Sequence, residues 1–460
     1  MAGQDRRTAL EEQIGQWRAF VARRAAIAPR DVDELEGHLR DQIEGLEASG
    51  LSSDEAFLVA VRRMGRLDEV SREFAREHSD RLWKQLVVGE APSGRRPDGL
   101  LPAIALAGAA AIVIKIPALF GLSFGSDAAF YALNLAVLVL PFLAAFLLVR
   151  RHAAVGTIVA VAVPFLLAAV VVNAYPFAPD GSTIALTAMH TAVALWIVTG
   201  IAYANGDWRS DRARMDFIRF SGEWFIYLVL IGLGGGVLAA LTMGVFSAIG
   251  LDAAHFVQEW LVPCGLAGAV VIAGWLVEAK QNVIENIAPV LTKLFTPLFT
   301  VLLLALVVAG IVQGVSVGAA PGAEAFAQRD LLIIFDVVLL VVLGLLLYSY
   351  SARDPDAAAG WFDRLQLLML IAALAVDVLV LIGMASRISE FGASPNKLAS
   401  LGLNVILLVN LAGAAWLQLR FVGGAASFAR VERWQTAYVP VYLGWAAIVA
   451  VVFPPVFGFA

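Results

Sequence analysis

The chain has 460 residues, of which 60% are hydrophobic and only 15% charged. A water-soluble globular enzyme has no use for so much apolar sequence, and a net charge of −5 offers no basic surface for nucleic acid. The single cysteine, Cys264, leaves no disulfide framework and no cysteine-based metal site, and it reads as a small packing residue.

Charge is concentrated at the N-terminus. Residues 1–98 hold 16 of the 33 Lys and Arg and 19 of the 38 Asp and Glu. The opening MAGQDRRTALEEQ lacks the apolar core of a signal peptide, so this part is expected to stay in the cytoplasm. Four helices are predicted over residues 1–88. Leu10, Ile14, Trp17 and Val21 form the apolar face of the first. Val32, Leu35, Leu39, Ile43 and Leu46 form that of the second. Pro29 suits the first turn of this second helix, and Asp31, Asp33 and Glu34 suit the positive end of its dipole. Ser52 or Ser53 caps a third helix carrying Phe57, Val61 and Met64, and a fourth runs from about Leu67 to Leu86. Residues 89–98, rich in Gly, Pro, Ser and charge, read as a linker.

The order of the segments ELEGHL, GLSSDEAF, AVRRMG and LDEVSREF resembles the permease-prefix, or HAAS-type, helical domain of bacteria, over roughly residues 8–86. The resemblance implies a cytoplasmic, non-catalytic module that regulates an attached membrane protein. It names no substrate.

From residue 99 to 460 the chain is a succession of eleven apolar runs, beginning with LPAIALAGAAAIVIKIPALF and ending with TAYVPVYLGWAAIVAVVFPPVF. A helix needs roughly 20 mostly apolar residues to cross the hydrocarbon core. Continuous apolarity excludes the alternation of a membrane barrel. The expected fold is therefore all-α: a polytopic transmembrane protein of about eleven spans with an N-terminal cytoplasmic helical bundle. With the N-terminus inside, thirteen of the Lys and Arg of this part fall in inner segments. Only Arg329, Arg387 and Lys397 fall in outer ones, as the positive-inside rule requires, and the odd number of spans puts the C-terminus outside. The expected setting is a bacterial cytoplasmic membrane. The outer segment SRISEFGASPNKLASL (386–401) is similar to a loop of an uncharacterised family of multi-pass bacterial membrane proteins, with Lys397 where that family usually has Arg. The inner segment 205–222 mixes Arg with Trp208, Met215, Phe217, Ile218 and Phe220, and reads either as an interfacial helix or as a basic loop.

Ionisable residues inside spans are costly, so each is a candidate functional group. Lys115, His190, Asp336 and Asp377 all fall about 8–12 Å below the outer surface when counted at about 1.5 Å per residue. Arg387 lies just above them. One reading is an outward-facing polar site that carries protons, binds a cation or holds a small charged solute. The other is structural pairing between helices, with Lys115 held by one of the aspartates or reaching outward. Gly232 and Gly236 have the small-xxx-small spacing of closely packed membrane helices. No catalytic nucleophile motif, zinc motif, nucleotide loop of the form G-x-x-x-x-G-K-S/T or cofactor fingerprint occurs, so no enzyme activity, metal or cofactor is expected. Two functions fit. The first is a permease or transporter-like protein, moving a small solute or ion, whose N-terminal domain regulates it. The second is a membrane-anchored signalling or scaffold protein whose N-terminal domain binds a protein partner or a second copy. In both the spans contact lipid.

Overall fold

A computed structural model describes residues 10, 11, 14, 15, 29–48, 53, 56, 57, 60, 99–179, 181–279, 287–317, 329–355 and 357–460. The chain divides into two compact units, Met1–Arg96 and Pro97–Ala460.

In the first unit a helix runs Pro29–Ala48, starting at the proline whose missing N–H a first turn tolerates. Its residues Leu39, Ile43 and Leu46 are buried along one face, as are Ile14, Ala56 and Ala60 elsewhere in the unit. Arg40 bridges Glu11 at 2.5 Å and Glu36 at 2.9 Å. The Arg40 guanidinium holds the Glu11 carboxyl below the usual carboxylate range. The predicted fourth helix and the linker lie outside the described residues, as do Trp17, Val21, Val61 and Met64.

The second unit consists of helices, and eleven of them are long and apolar enough to cross a membrane. They are α1 (Leu100–Val113, continued by a 3-10 turn Ile116–Phe120), α2 (Ala128–Arg150), α3 (Val155–Ala174) and α4 (Ser182–Tyr203). Then come α5 (Asp211–Ala248) and α6, which runs from Ala254 through a π-helical turn Val257–Leu261 to Ala279. The rest are α7 (Ile287–Val317), α8 (Arg329–Ser351), α9 (Trp361–Phe391) and α10 (Pro395–Val422). Last is α11, from Phe428 through a π-helical turn Ile448–Val452 to Val456.

Two apolar cores organise this unit. One joins α1 to α6 around Leu143, Phe146, Phe165, Phe220 and Val271. The other joins α7 to α11 around Leu339, Leu346, Met369, Leu407 and Leu411. Helix α4 packs on α11 and so links the halves.

Three prolines shape the links between helices. A helical carbonyl is normally satisfied by the N–H four residues later, and proline has none. Pro263, Pro440 and Pro455 therefore give no such donor to the carbonyls of Glu259, Thr436 and Val451. In each case a side chain from a distant helix or loop supplies one. Lys115 Nζ donates to Glu259 at 2.7 Å, Arg214 Nη1 to Thr436 at 3.1 Å and Tyr175 Oη to Val451 at 2.9 Å.

The segment 205–222 is no separate interfacial helix. Residues from Asp211 onward are the first turns of α5. Phe217 and Phe220 are buried in the first core, with Trp208 packed against it, because Trp196 and Tyr203 offer them aromatic partners.

Basic side chains gather at one end of the bundle. Arg150 and Arg151 both reach Glu278, at 3.1 and 2.9 Å. Arg219 donates to the carbonyl of Ser351, and Arg433 lies 3.4 Å from Asp211. The opposite end carries the α9–α10 hairpin. There Ser394 caps α10, and Lys397 Nζ donates to the carbonyls of Gly392 at 2.8 Å and Arg387 at 3.4 Å.

Candidate functional site

The four ionisable residues within the spans, Lys115 and Asp377 buried and His190 and Asp336 partly so, do not meet at one place. Lys115 sits where α1 gives way to the 3-10 turn, and it belongs to the α1–α6 half. Its ammonium lies 3.6 Å from a Glu259 carboxylate oxygen, donates to the Glu259 carbonyl, and stands 4.7 Å from the Trp260 ring centre. The Glu259 carboxylate also accepts from the backbone N–H groups of Phe124 and Gly125, each at 3.3 Å. Glu259 thus provides the carboxylate for Lys115, and neither aspartate does. The sequence signal was there: Glu259 is the fourth residue of the apolar run that starts at Phe256, an ionisable residue near the outer end of its span as Lys115 is of its own. Replacing Lys115 with Met leaves this carboxylate without its cation and is expected to cost about 3 kcal/mol. Adding Glu259→Gln should recover part of that loss in a thermal-unfolding double-mutant cycle. Additive effects would show that the pair is uncoupled.

His190 lies on the face of α4 that lines an apolar cavity. Its Nδ1 is 2.8 Å from the carbonyl of Leu186. A carbonyl only accepts, so Nδ1 carries the proton and is committed to its own helix, while Nε2 of the neutral ring is an acceptor. Arg387 stands 5.9 Å from the Phe391 ring centre at the α9–α10 hairpin, and its backbone carbonyl accepts from Lys397.

Asp336 and Asp377 are brought together. The Ser349–Gln366 hydrogen bond ties α8 to α9 and sets their antiparallel register. Measured from that bond at about 1.5 Å per residue, both aspartates lie roughly 17–20 Å along their helices, at one level. Asp336 is close enough to act electrostatically on Asp377. The Asp336 carboxylate accepts from the Ser400 hydroxyl and from Asn404 Nδ2 at 2.8 Å, both on α10. Asn404 also donates to the Ser400 carbonyl at 3.0 Å and touches Met384 Sδ at 3.6 Å.

Asp377 differs from its neighbour. It is 0% exposed, and neither carboxylate oxygen has a hydrogen-bond partner among the described residues. Asn404 Oδ1 is likewise without one. Helix α9 continues to Phe391, beyond the apolar run that stops at Met384. Counted along the helix, Asp377 is therefore about 20 Å from its end, where the shorter run suggested about 12 Å. Among the described residues no group of three or more His, Cys, Asp or Glu side chains converges. What α8, α9 and α10 present is two carboxylates, one held by donors and one without any. Such a pair can take up a proton or face a small cation.

Gly232 and Gly236 face open space: a Cβ on either would meet nothing within 4 Å among the described residues. Leu233, Val237, Leu241 and Val245 nearby are exposed. The physical reason is that α5 packs through Phe217, Phe220 and Gly222 before the glycine run and through Ala239, against Ala253 and Val257, after it. Close helix approach occurs elsewhere, where the rings of Trp445 and Trp434 press on Gly402 and Gly413.

Comparison of the chain with family models, with curated proteins and with solved structures finds no match in any of the three.

Proposed function

We propose that this chain is a permease-type membrane protein, in which Asp377, assisted by Asp336, binds a proton or small cation during movement of a solute or ion across a bacterial cytoplasmic membrane. The observation that carries the reading is the fully buried Asp377 carboxylate, with neither oxygen bonded among the described residues and a second carboxylate at its level. An ionisable group without a partner inside a span is hard to justify as packing alone. The resemblance of residues 8–86 to permease-prefix domains supports a regulatory role for the N-terminal unit.

The test is proton movement in proteoliposomes under an imposed potassium diffusion potential. Wild-type vesicles should move protons faster than protein-free vesicles, and Asp377→Asn vesicles should not. Equal rates for wild type and variant would remove the proposal's support.

A second reading, a membrane-anchored scaffold or signalling protein, draws on Lys115 and Asp336, which are bonded within the chain as structural pairs are. It predicts no protein-dependent flux.

The gathering of arginines at one bundle end supports an N-terminus inside and that end facing the cytoplasm. In a Cys264→Ala background, Ala393→Cys should react with an impermeant maleimide on intact cells. Asp207→Cys should react only after permeabilisation. The reverse pattern would invert the orientation.

A further inference from the structure

Helices α10 and α11 form a hairpin whose turn lies at the arginine-rich end of the bundle. The ring of Trp445 rests on Gly402 and that of Trp434 on Gly413, so one antiparallel register holds along the pair. Trp434 Nε1 also donates to the Asn410 carbonyl at 2.9 Å. Near the turn the rings of Phe421 and Phe428 stand 5.4 Å apart, centre to centre. This register places Arg420 opposite residues 427–429. Arg430 therefore lies within about 5 Å of the depth of Arg420 at the helical rise.

The two arginines also share a side of the hairpin. Arg420 follows Gly413 by two helical turns, on the face of α10 that meets the α11 tryptophans. Arg430 precedes Trp434 by one turn, on the face of α11 that meets α10. Both arginines are exposed, and neither has a partner among the described residues. Nearby carboxylates serve other cations. Asp363 holds Arg353, Asp211 holds Arg214 and Arg433, and Glu432 acts electrostatically with Arg353 and Arg219. Two guanidiniums at one level of one groove repel each other, and an anion between them would turn that repulsion into attraction. Away from the turn the same side of the hairpin becomes apolar and stays open. Trp416 is 61% exposed and Val409 49% on α10, and Val441 is 43% exposed on α11. Charge, then an aromatic ring, then aliphatic side chains is the order a phospholipid presents from phosphate to acyl chain.

We infer that the arginine-rich end of the α10–α11 groove binds an anionic glycerophospholipid. Its phosphate accepts from Arg420 and Arg430, whose planar forks suit phosphate oxygens. Its acyl chains lie along Trp416, Val409 and Val441. A zwitterionic headgroup brings a cation that the two arginines repel, so the groove favours a lipid with net negative charge. This is independent of whether Asp377 handles protons.

The test is a titration of the full detergent-solubilised chain, followed by native mass spectrometry. The probes are phosphatidylglycerol and phosphatidylcholine with the same acyl chains. Wild type should bind its first phosphatidylglycerol about tenfold more tightly than phosphatidylcholine, and the double variant Arg420→Gln and Arg430→Gln should bind the two alike. Phosphatidylglycerol should also raise the melting temperature of wild type and not that of this variant. Arg209 and Arg212 are exposed at the same end and have no side-chain partner among the described residues. Replacing both with Gln removes the same charge and should leave the preference in place. Inorganic phosphate at the lipid's concentration should not displace the lipid, since it lacks the chains. An equal loss in the Arg209 and Arg212 variant, displacement by inorganic phosphate, or a preference that survives in the Arg420 and Arg430 variant would overturn the inference.

Discussion

Replacing Asp377 with Asn is expected to raise the stability of the protein, while replacing Asp336 with Ala should lower it. The two aspartates lie at one level, yet their surroundings are opposite. Asp377 is wholly buried and neither oxygen has a bonded partner among the described residues, so its ionised form has no compensation. Asn keeps the shape, removes the charge and ends its repulsion with Asp336. The Asn amide is still buried without a partner, so the gain is the part of the burial penalty that the charge adds. Asp336 accepts from Ser400 and Asn404, and truncation to Ala strands both donors at a cost of about 1–3 kcal/mol. Thermal unfolding in detergent, followed by tryptophan fluorescence, reads both signs. A stabilised Asp377→Asn that also loses proton movement would show the trade expected where a functional group is kept at the expense of the fold. A destabilised Asp377→Asn would mean that the carboxylate has a structural role.

The second large effect is expected at Arg353. Its guanidinium bonds the Asp363 carboxylate at 2.9 and 3.4 Å. It also donates to the carbonyls of Asp354, Ala357 and Ala358 at 2.7, 2.9 and 3.1 Å. It stands 4.7 Å from the ring centre of Phe421 and 4.5 Å from that of Phe428. One side chain thus holds the α8–α9 connection and the ends of α10 and α11. Asp363 is itself tied in, accepting from the Gly360 N–H at 2.7 Å, while its carbonyl accepts from Gln418 at 3.2 Å. Arg353→Ala leaves Asp363 buried without its cation and should cost about 3–5 kcal/mol. Arg353→Lys should rescue little, because an ammonium has neither the planar fork nor the stacking face. A melting temperature for Arg353→Lys equal to wild type would show that charge alone suffices.

The sequence contains the spans and their charge asymmetry almost openly. Run length and apolarity are properties of single segments, so the membrane helices could be read one at a time. Helix ends were less visible. Residues 211–222 are polar enough to read as a connector, yet they fold as the start of α5 because Phe217 and Phe220 find aromatic partners on α4. The α9 helix likewise outruns its apolar stretch, which moved Asp377 away from the depth counted for Lys115 and His190. Contacts between helices were not legible. Depth alone grouped Lys115 with the aspartates, whereas rotation and neighbours gave it Glu259. The spacing of Gly232 and Gly236 permits close packing, but among the described residues no neighbour meets them. Nothing in the order of residues announced that Tyr348, Tyr442 and Trp445, drawn from two helices, would line one cavity.

In the proposed function Asp377 exchanges protons from within the membrane. Infrared difference spectroscopy of the protein in lipid, with Asp377→Asn as the reference that identifies its carboxyl band, tests this most directly. The expected result is a band that is absent from the variant, that interconverts between acid and ionised forms as pH changes, and that shifts within seconds of transfer to heavy water. A band that neither titrates nor exchanges would contradict it.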